Sequence, residues 1–194
     1  MLRLKLATDP RWVKLVESNL EEVLTDHAYC EQKAASSAIS MIVKYPEHTE
    51  LVKEMTALVQ EEMDHFNRVH EYIIQRGYKL GKERKDHYVN QLATFVRKDG
   101  HNPHLLVDRL LFSAMIEARS CERFRVLSEN IKDEELSAFY RELMISEATH
   151  YTLFIKLARK YSEGKVDVDA RWQEWIDFEG QLIQSYGKSE LIHG

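Results

Sequence analysis

Residues 139–157 read FYRELMISEATHYTLFIKL, and their apolar positions recur every three or four residues. Phe139, Leu143, Phe154 and Leu157 mark one face of a helix, and Glu147 and His150 fall on that same face. A carboxylate on an apolar stripe needs a compensating partner, because burying a lone charge is strongly unfavourable. Three further stripes repeat the pattern. Leu106, Leu110, Ala114, Cys121 and Phe124 share a face with Glu117. Leu51, Met55, Leu58, Val69 and Tyr72 share one with Glu62 and His65, and Leu24, Ala28, Ala35, Ala38 and Ile42 share one with Glu31.

The ExxH spacing in Glu62-Met-Asp-His65 and Glu147-Ala-Thr-His150 puts both side chains on one helix face, where they can chelate a metal ion. The motif alone decides little. With 22 Glu and 9 His in 194 residues about one copy is expected by chance, and a third copy, Glu190-Leu-Ile-His193, lies in the tail without a partner acid. What decides is register. Glu31 precedes Glu62 by 31 residues and Glu117 precedes Glu147 by 30, so in two helical hairpins each lone Glu faces its ExxH partner at one level. Glu31, Glu62, His65, Glu117, Glu147 and His150 are therefore the candidate ligands of a carboxylate-bridged di-iron site. Two Fe²⁺ ions would neutralise four glutamates, and oxygen and nitrogen donors without thiolate suit iron or manganese. Glu61 and Glu122 are rivals that fall off the stripes. His27, Asp26, Tyr29, Asp64 and Cys121 are candidates for supporting the ligands, or ordinary packing and surface residues.

Scarce Gly (7) and Pro (3) leave few breaks, so the elements are long and helical. The sequence predicts all-α architecture: a capping box at Ser18-Asn-Leu-Glu21, then helices over about 19–45, 47–76 (with Pro46 in its first turn), 102–130, 134–162 and 170–186. Gly77 and Gly187 act as stops, Asn102 and Asp133 as caps, and a short helix falls around Tyr88–Arg97. The long connection between the second and third long helices permits a crossover, the connectivity of a ferritin-like four-helix bundle formed by residues 1–194 as one domain.

Two cysteines (Cys30, Cys121) are too few for a disulfide framework, and no run approaches a membrane span, so a reduced, cytoplasmic setting is expected. The N-terminal Met-Leu-Arg-Leu-Lys-Leu has no signal-peptide pattern. Net charge is −5, yet residues 76–109 carry eight Lys/Arg and four Asp/Glu, leaving that segment at +4. It is either a solvated loop or a surface for nucleic-acid phosphates through Lys82, Arg84, Lys85, Arg97 and Lys98.

The stretches His27-Ala-Tyr-Cys-Glu31, Glu61-Glu-Met-Asp-His65-Phe, Ile116-Glu-Ala-Arg-Ser-Cys-Glu-Arg-Phe124 and Ser146-Glu-Ala-Thr-His150-Tyr resemble the tRNA 2-methylthio-isopentenyladenosine hydroxylases, over nearly the whole chain. The resemblance implies a non-haem di-iron monooxygenase that uses O₂ to hydroxylate the isopentenyl group of the modified adenosine beside the anticodon. It further implies a tRNA partner and an external, ferredoxin-type electron donor. Phe112, Met115, Leu143 and Met144 either line a prenyl pocket or belong to the core. The other readings are a ferritin-like iron store or ferroxidase, a di-iron oxidase of small or lipid substrates, and a metal-free helical interaction protein. Monomer and dimer both stay open.

Overall fold

A computed structural model describes residues 4–100, 102–184 and 192. Among them every regular element is a helix: α1 Trp12–Ser18, α2 Leu20–Lys44, α3 Thr49–Gln75, α4 His87–Leu92, α5 Asn102–Asn130, α6 Glu134–Tyr161 and α7 Val168–Ile183, with a 3-10 turn over Ala93–Phe95. They fall into two compact units, one built on Ser18–Lys85 together with Ile192, the other on the residues before Ser18 and those from Asp86 onward. In the first, α2 and α3 pack as a hairpin, and in the second α5 pairs with α6 while α7 packs on α5 and α4.

Local chemistry accounts for most of the boundaries. The Asp133 carboxylate accepts from Leu136 N–H at 3.0 Å and starts α6, and Asp167 accepts from Ala170 N–H at 2.9 Å and starts α7. Gly77, with φ of 73°, closes α3. Its N–H bonds Ile74 C=O at 2.9 Å while Tyr78 N–H reaches Ile73 C=O at 3.0 Å, the paired bonds of a left-handed helix stop.

Three expectations need correction. Ser18 is the last residue of α1, a short helix that follows Asp9-Pro10, rather than the N-cap of α2. Asn19 precedes α2 without a side-chain cap bond, and the Glu21 carboxylate accepts from Lys79 N–H at 3.2 Å instead. Pro46 sits in the turn between α2 and α3, with α3 beginning at Thr49. The α7 boundary lies at Val168 rather than near 170, while Tyr186, Gly187 and the Glu190–His193 acid and imidazole lie outside the described residues. Seven residues are too few for a helix to hold by itself. What holds α1 is burial of Trp12, Val13 and Val16, with the Arg123 guanidinium 4.3 Å above the Trp12 ring.

The Asp86-onward unit is bound together by buried ions. Arg119 and Glu179 are both fully buried, and the guanidinium donates to the Glu179 carboxylate at 2.9 and 2.6 Å. It also donates to Glu122 at 3.0 Å and to the Leu6 carbonyl at 3.1 Å. The Tyr88 hydroxyl donates to Glu179 at 3.3 Å, and burial together with that carboxylate raises the phenol well above its usual range. Glu122 accepts from the Thr8 N–H and hydroxyl at 2.9 and 2.6 Å. Burial, reinforced by neighbouring Arg119, lowers Arg123 to about 10. A second buried pair joins Arg171 of α7 to Asp108 of α5 at 2.9 and 2.7 Å.

Removing one partner of such a pair strands the other charge. Glu179→Ala should therefore destabilise the protein by roughly 3–5 kcal/mol in urea titration, and a midpoint equal to wild type would show that the pair carries no such weight.

Candidate metal centre

In the Ser18–Lys85 unit, α2 supplies Glu31 and α3 supplies Glu62 and His65, one helical turn apart. All three are buried, and each offers a donor atom within 4.8 Å of the others. His65 Nδ1 stands 3.4 Å from Glu62 and 3.7 Å from Glu31. On the other side of Glu31, His27 Nε2 lies 2.7 Å from its carboxylate. His27 is fully buried, so this contact fixes one Glu31 oxygen while leaving the second for another partner.

The charges in this cluster oppose burial. Burial pushes the Glu31 carboxyl up, but the His27 and His65 rings outweigh it and hold the acid below the usual carboxylate range. Burial pushes the His65 imidazole down, and the Glu31 and Glu62 carboxylates more than reverse this, raising it to about 9. The pocket thus gathers negative charge that a protonated ring partly offsets, and a metal cation would displace that proton.

In the other unit, Glu117 of α5 and Glu147 and His150 of α6 are likewise buried. His150 Nδ1 lies 3.8 Å from Glu117, and its Nε2 is 3.4 Å from the Ser146 hydroxyl. Each hairpin therefore presents a lone Glu facing an ExxH pair, as the sequence offsets predict. The donors are carboxylate oxygens and imidazole nitrogens, so the buried Glu/His groups suit a pair of hard-to-borderline metal ions such as iron.

The rivals separate cleanly. Glu61 is about half exposed and reaches His65 only at 4.0 Å. Glu122 is buried, which its off-stripe position did not suggest, yet Arg119 and Thr8 occupy its oxygens. Asp64 is exposed. Asp26 accepts from Ile192 N–H at 2.8 Å, and the Tyr29 hydroxyl donates to Gly81 C=O. Of the prenyl-pocket candidates, Met115 and Leu143 are fully packed core, and Phe112 lies against Trp175 with ring centroids 6.2 Å apart. Met144 borders an apolar groove of about 540 Å³ beside Cys121 and Ile145.

The basic residues divide between the two units. Lys82, Arg84 and Lys85 are exposed on the segment between α3 and α4. Arg97 and Lys98 follow the 3-10 turn, where Arg97 donates its backbone N–H to Asp108 at 2.8 Å and its guanidinium lies 3.2 Å from the His104 ring. Sequence reading missed the Arg119–Glu179 and Arg171–Asp108 pairs. The only signal available was charge on the apolar-rich stretch 106–127 and inside the aromatic helix α7.

The family described as tRNA-(MS[2]IO[6]A)-hydroxylase (MiaE) matches residues 2–194. A Pseudomonas putida protein named tRNA 2-(methylsulfanyl)-N(6)-isopentenyladenosine(37) hydroxylase is 41% identical over 187 residues, covering 96% of this chain and 89% of that one. A Salmonella typhimurium protein of the same name is 30% identical over 222 aligned positions, covering 90% and 80%. Among solved structures, a Synechococcus protein with aldehyde deformylating oxygenase activity superposes with a TM-score of 0.89 at 30% identity, covering 98% of this chain and 95% of that one. The fold class is therefore all-α and ferritin-like.

Cys121 lies one helical turn beyond Glu117, and its thiol donates to Met144 C=O at 3.3 Å. Burial pushes this thiol up to about 11, which leaves about one thiolate in a thousand at pH 8. Iodoacetamide at pH 8 should therefore label the partly exposed Cys30 and leave Cys121 unmodified until the chain is denatured. Equal labelling of both cysteines in peptide mass mapping would contradict this.

Proposed function

The chain belongs to the MiaE family of tRNA hydroxylases, and from that membership we propose how its residues carry the family reaction. It is an enzyme that hydroxylates the isopentenyl group of 2-methylthio-isopentenyladenosine in tRNA, at the adenosine beside the anticodon. The proposal concerns the metal, the ligands and the co-substrates. Glu31, Glu62, His65, Glu117, Glu147 and His150 bind two iron ions, O₂ is the co-substrate, and a ferredoxin-type donor supplies electrons. The cytoplasm, where tRNA is modified, is its proposed location. We read residues 1–194 as one catalytic domain.

The observation that carries the metal assignment is the repetition, in two separate hairpins, of a buried Glu against a buried ExxH pair with no thiolate among the donors. Four ionised glutamates at buried positions need about four positive charges, which two ferrous ions supply. When bound, the metal pair provides the O₂-activating chemistry that cleaving an unactivated C–H bond requires and amino-acid side chains lack. The chain's own contribution is positional. His27 holds Glu31 through the 2.7 Å contact, and the packed apolar stripes around the ligands exclude water from them. With two cysteines in the chain, a four-thiolate iron–sulfur cluster cannot be built from its own residues, so electrons arrive from a separate protein.

Nucleoside analysis of bulk tRNA from cells with and without the gene tests the reaction. The hydroxylated nucleoside should vanish on deletion and its unhydroxylated precursor accumulate, and an unchanged profile would refute the function. Protein loaded anaerobically with Fe²⁺ should hold two ions per chain. Glu62→Ala and Glu147→Ala should each lower that to one or fewer with helical content retained, and full iron occupancy in both would refute the ligand assignment.

A further inference from the structure

Between Gly77 and α4 the backbone runs from Tyr78 to Asp86 without a turn or bend. Four residues spaced by four along one stripe of α2 hold it in place. The Glu21 carboxylate accepts from Lys79 N–H at 3.2 Å, and the Thr25 hydroxyl accepts from Gly81 N–H at 3.3 Å. The Tyr29 hydroxyl donates to Gly81 C=O at 3.0 Å, and the Lys33 ammonium pairs with Glu83 at 3.0 Å. Close approach is required at the centre of this ladder, since a Cβ on Gly81 would lie 3.3 Å from the Thr25 methyl.

Anchoring alternate residues has a consequence for those between them. With 79, 81 and 83 tied to α2, the alternation of an extended chain turns Lys82 and Arg84 the other way, about 6.6 Å apart along the backbone. Both are exposed, as is Lys85. Of the two acids in this run, Glu83 pairs with Lys33 and Asp86 at its end caps α4 through Val89 N–H, so the stretch from Lys82 to Lys85 is net positive. A merely solvated loop has no need of side-chain partners for its backbone N–H and C=O groups. A polyanion-binding strip gains from them, because its cations are already ordered when the ligand arrives.

We infer that Lys82, Arg84 and Lys85 form a preorganised contact for the phosphodiester backbone of a folded RNA. Thr25 and Tyr29 act as positioning residues for it. The inference rests on tRNA being the substrate and adds where and how its backbone is held. An acidic protein is the competing partner for the same strip. Lys82 and Arg84, turned the same way and two residues apart, with the exposed Lys85 next in the chain, favour successive phosphates.

The test measures binding of an anticodon stem–loop RNA to the full-length, iron-loaded protein by fluorescence anisotropy across a salt series. Replacing Lys82, Arg84 and Lys85 together by Gln should weaken binding at least tenfold near 0.1 M salt, and reduce the slope of log affinity against log salt by about 2, as expected for three lost phosphate contacts. The double variant Thr25→Val with Tyr29→Phe changes no charge. It should nevertheless weaken binding about three- to tenfold while iron content and circular dichroism match wild type. Wild-type affinity in the Gln variant would overturn the contact, and wild-type affinity in the uncharged variant would overturn the positioning role. If RNA binding is unchanged but turnover driven by a reduced ferredoxin falls, the strip docks an acidic protein and the inference fails. Wild-type protein that hydroxylates tRNA in the same preparation keeps the proposed reaction standing whichever way these variants fall.

Discussion

Carboxylates buried on the apolar faces of long helices are the constraint on which this molecule turns. A helix can place an acid in its core only if something positive or proton-donating meets it there. In the Ser18–Lys85 unit the acids are met by imidazoles: His27 at 2.7 Å from Glu31, and His65 within 3.7 Å of both Glu31 and Glu62. In the other unit two acids outside the candidate ligand set are met by arginines, Glu179 by Arg119 and Asp108 by Arg171. The difference is functional. An arginine satisfies a carboxylate permanently, with a fork of donors that stays charged. An imidazole holds its proton loosely enough for a metal to replace it. Glu122 and Glu117 lie on the same helix, five residues apart, and this distinction sorts them: Arg119 takes the first and leaves the second facing His150.

The burial of the six candidate ligands was legible in the sequence because helical periodicity converts spacing into direction. Glu31, Glu62, His65, Glu117, Glu147 and His150 could each be placed on a stripe, and all six are buried. The offsets of 31 and 30 carried over because each hairpin turn is short and α2, α3, α5 and α6 run without interruption. Boundaries set by side-chain caps were legible too, as at Asp133, because the capping residue acts on its own neighbours. Ser18 failed for the opposite reason. A capping box competes with whatever precedes it, and here the preceding residues are drawn into α1 by tertiary burial of Trp12 and Val16.

Contacts between residues far apart in the chain could not be read from the sequence. Arg119 is 60 positions from Glu179, and Arg171 is 63 from Asp108. On a helical wheel Arg119 reads as a surface residue of α5. It is inside because α7 and the N-terminal segment, through Glu179 and the Leu6 carbonyl, cover it. Helix α5 is buried at nearly every position from Leu106 to Ser128, so its polar residues cannot be sorted by periodicity alone.

Helix α2 meets the same limit, with a mechanical result. Its residues Val23 to Ala28 are all buried, six in a row, which no single stripe explains. At about 100° per residue, Tyr29 and Lys33 each lie about 160° around the helix from Glu31, and Thr25 about 120°. One side of α2 therefore carries the candidate ligand Glu31 while residues 79–83 lie along another, and Ile192 closes over Asp26. Thr25, Tyr29 and Lys33 thus hold this segment on the face of α2 turned away from Glu31. A segment that looked like a connection between two hairpins is a structural part of one of them.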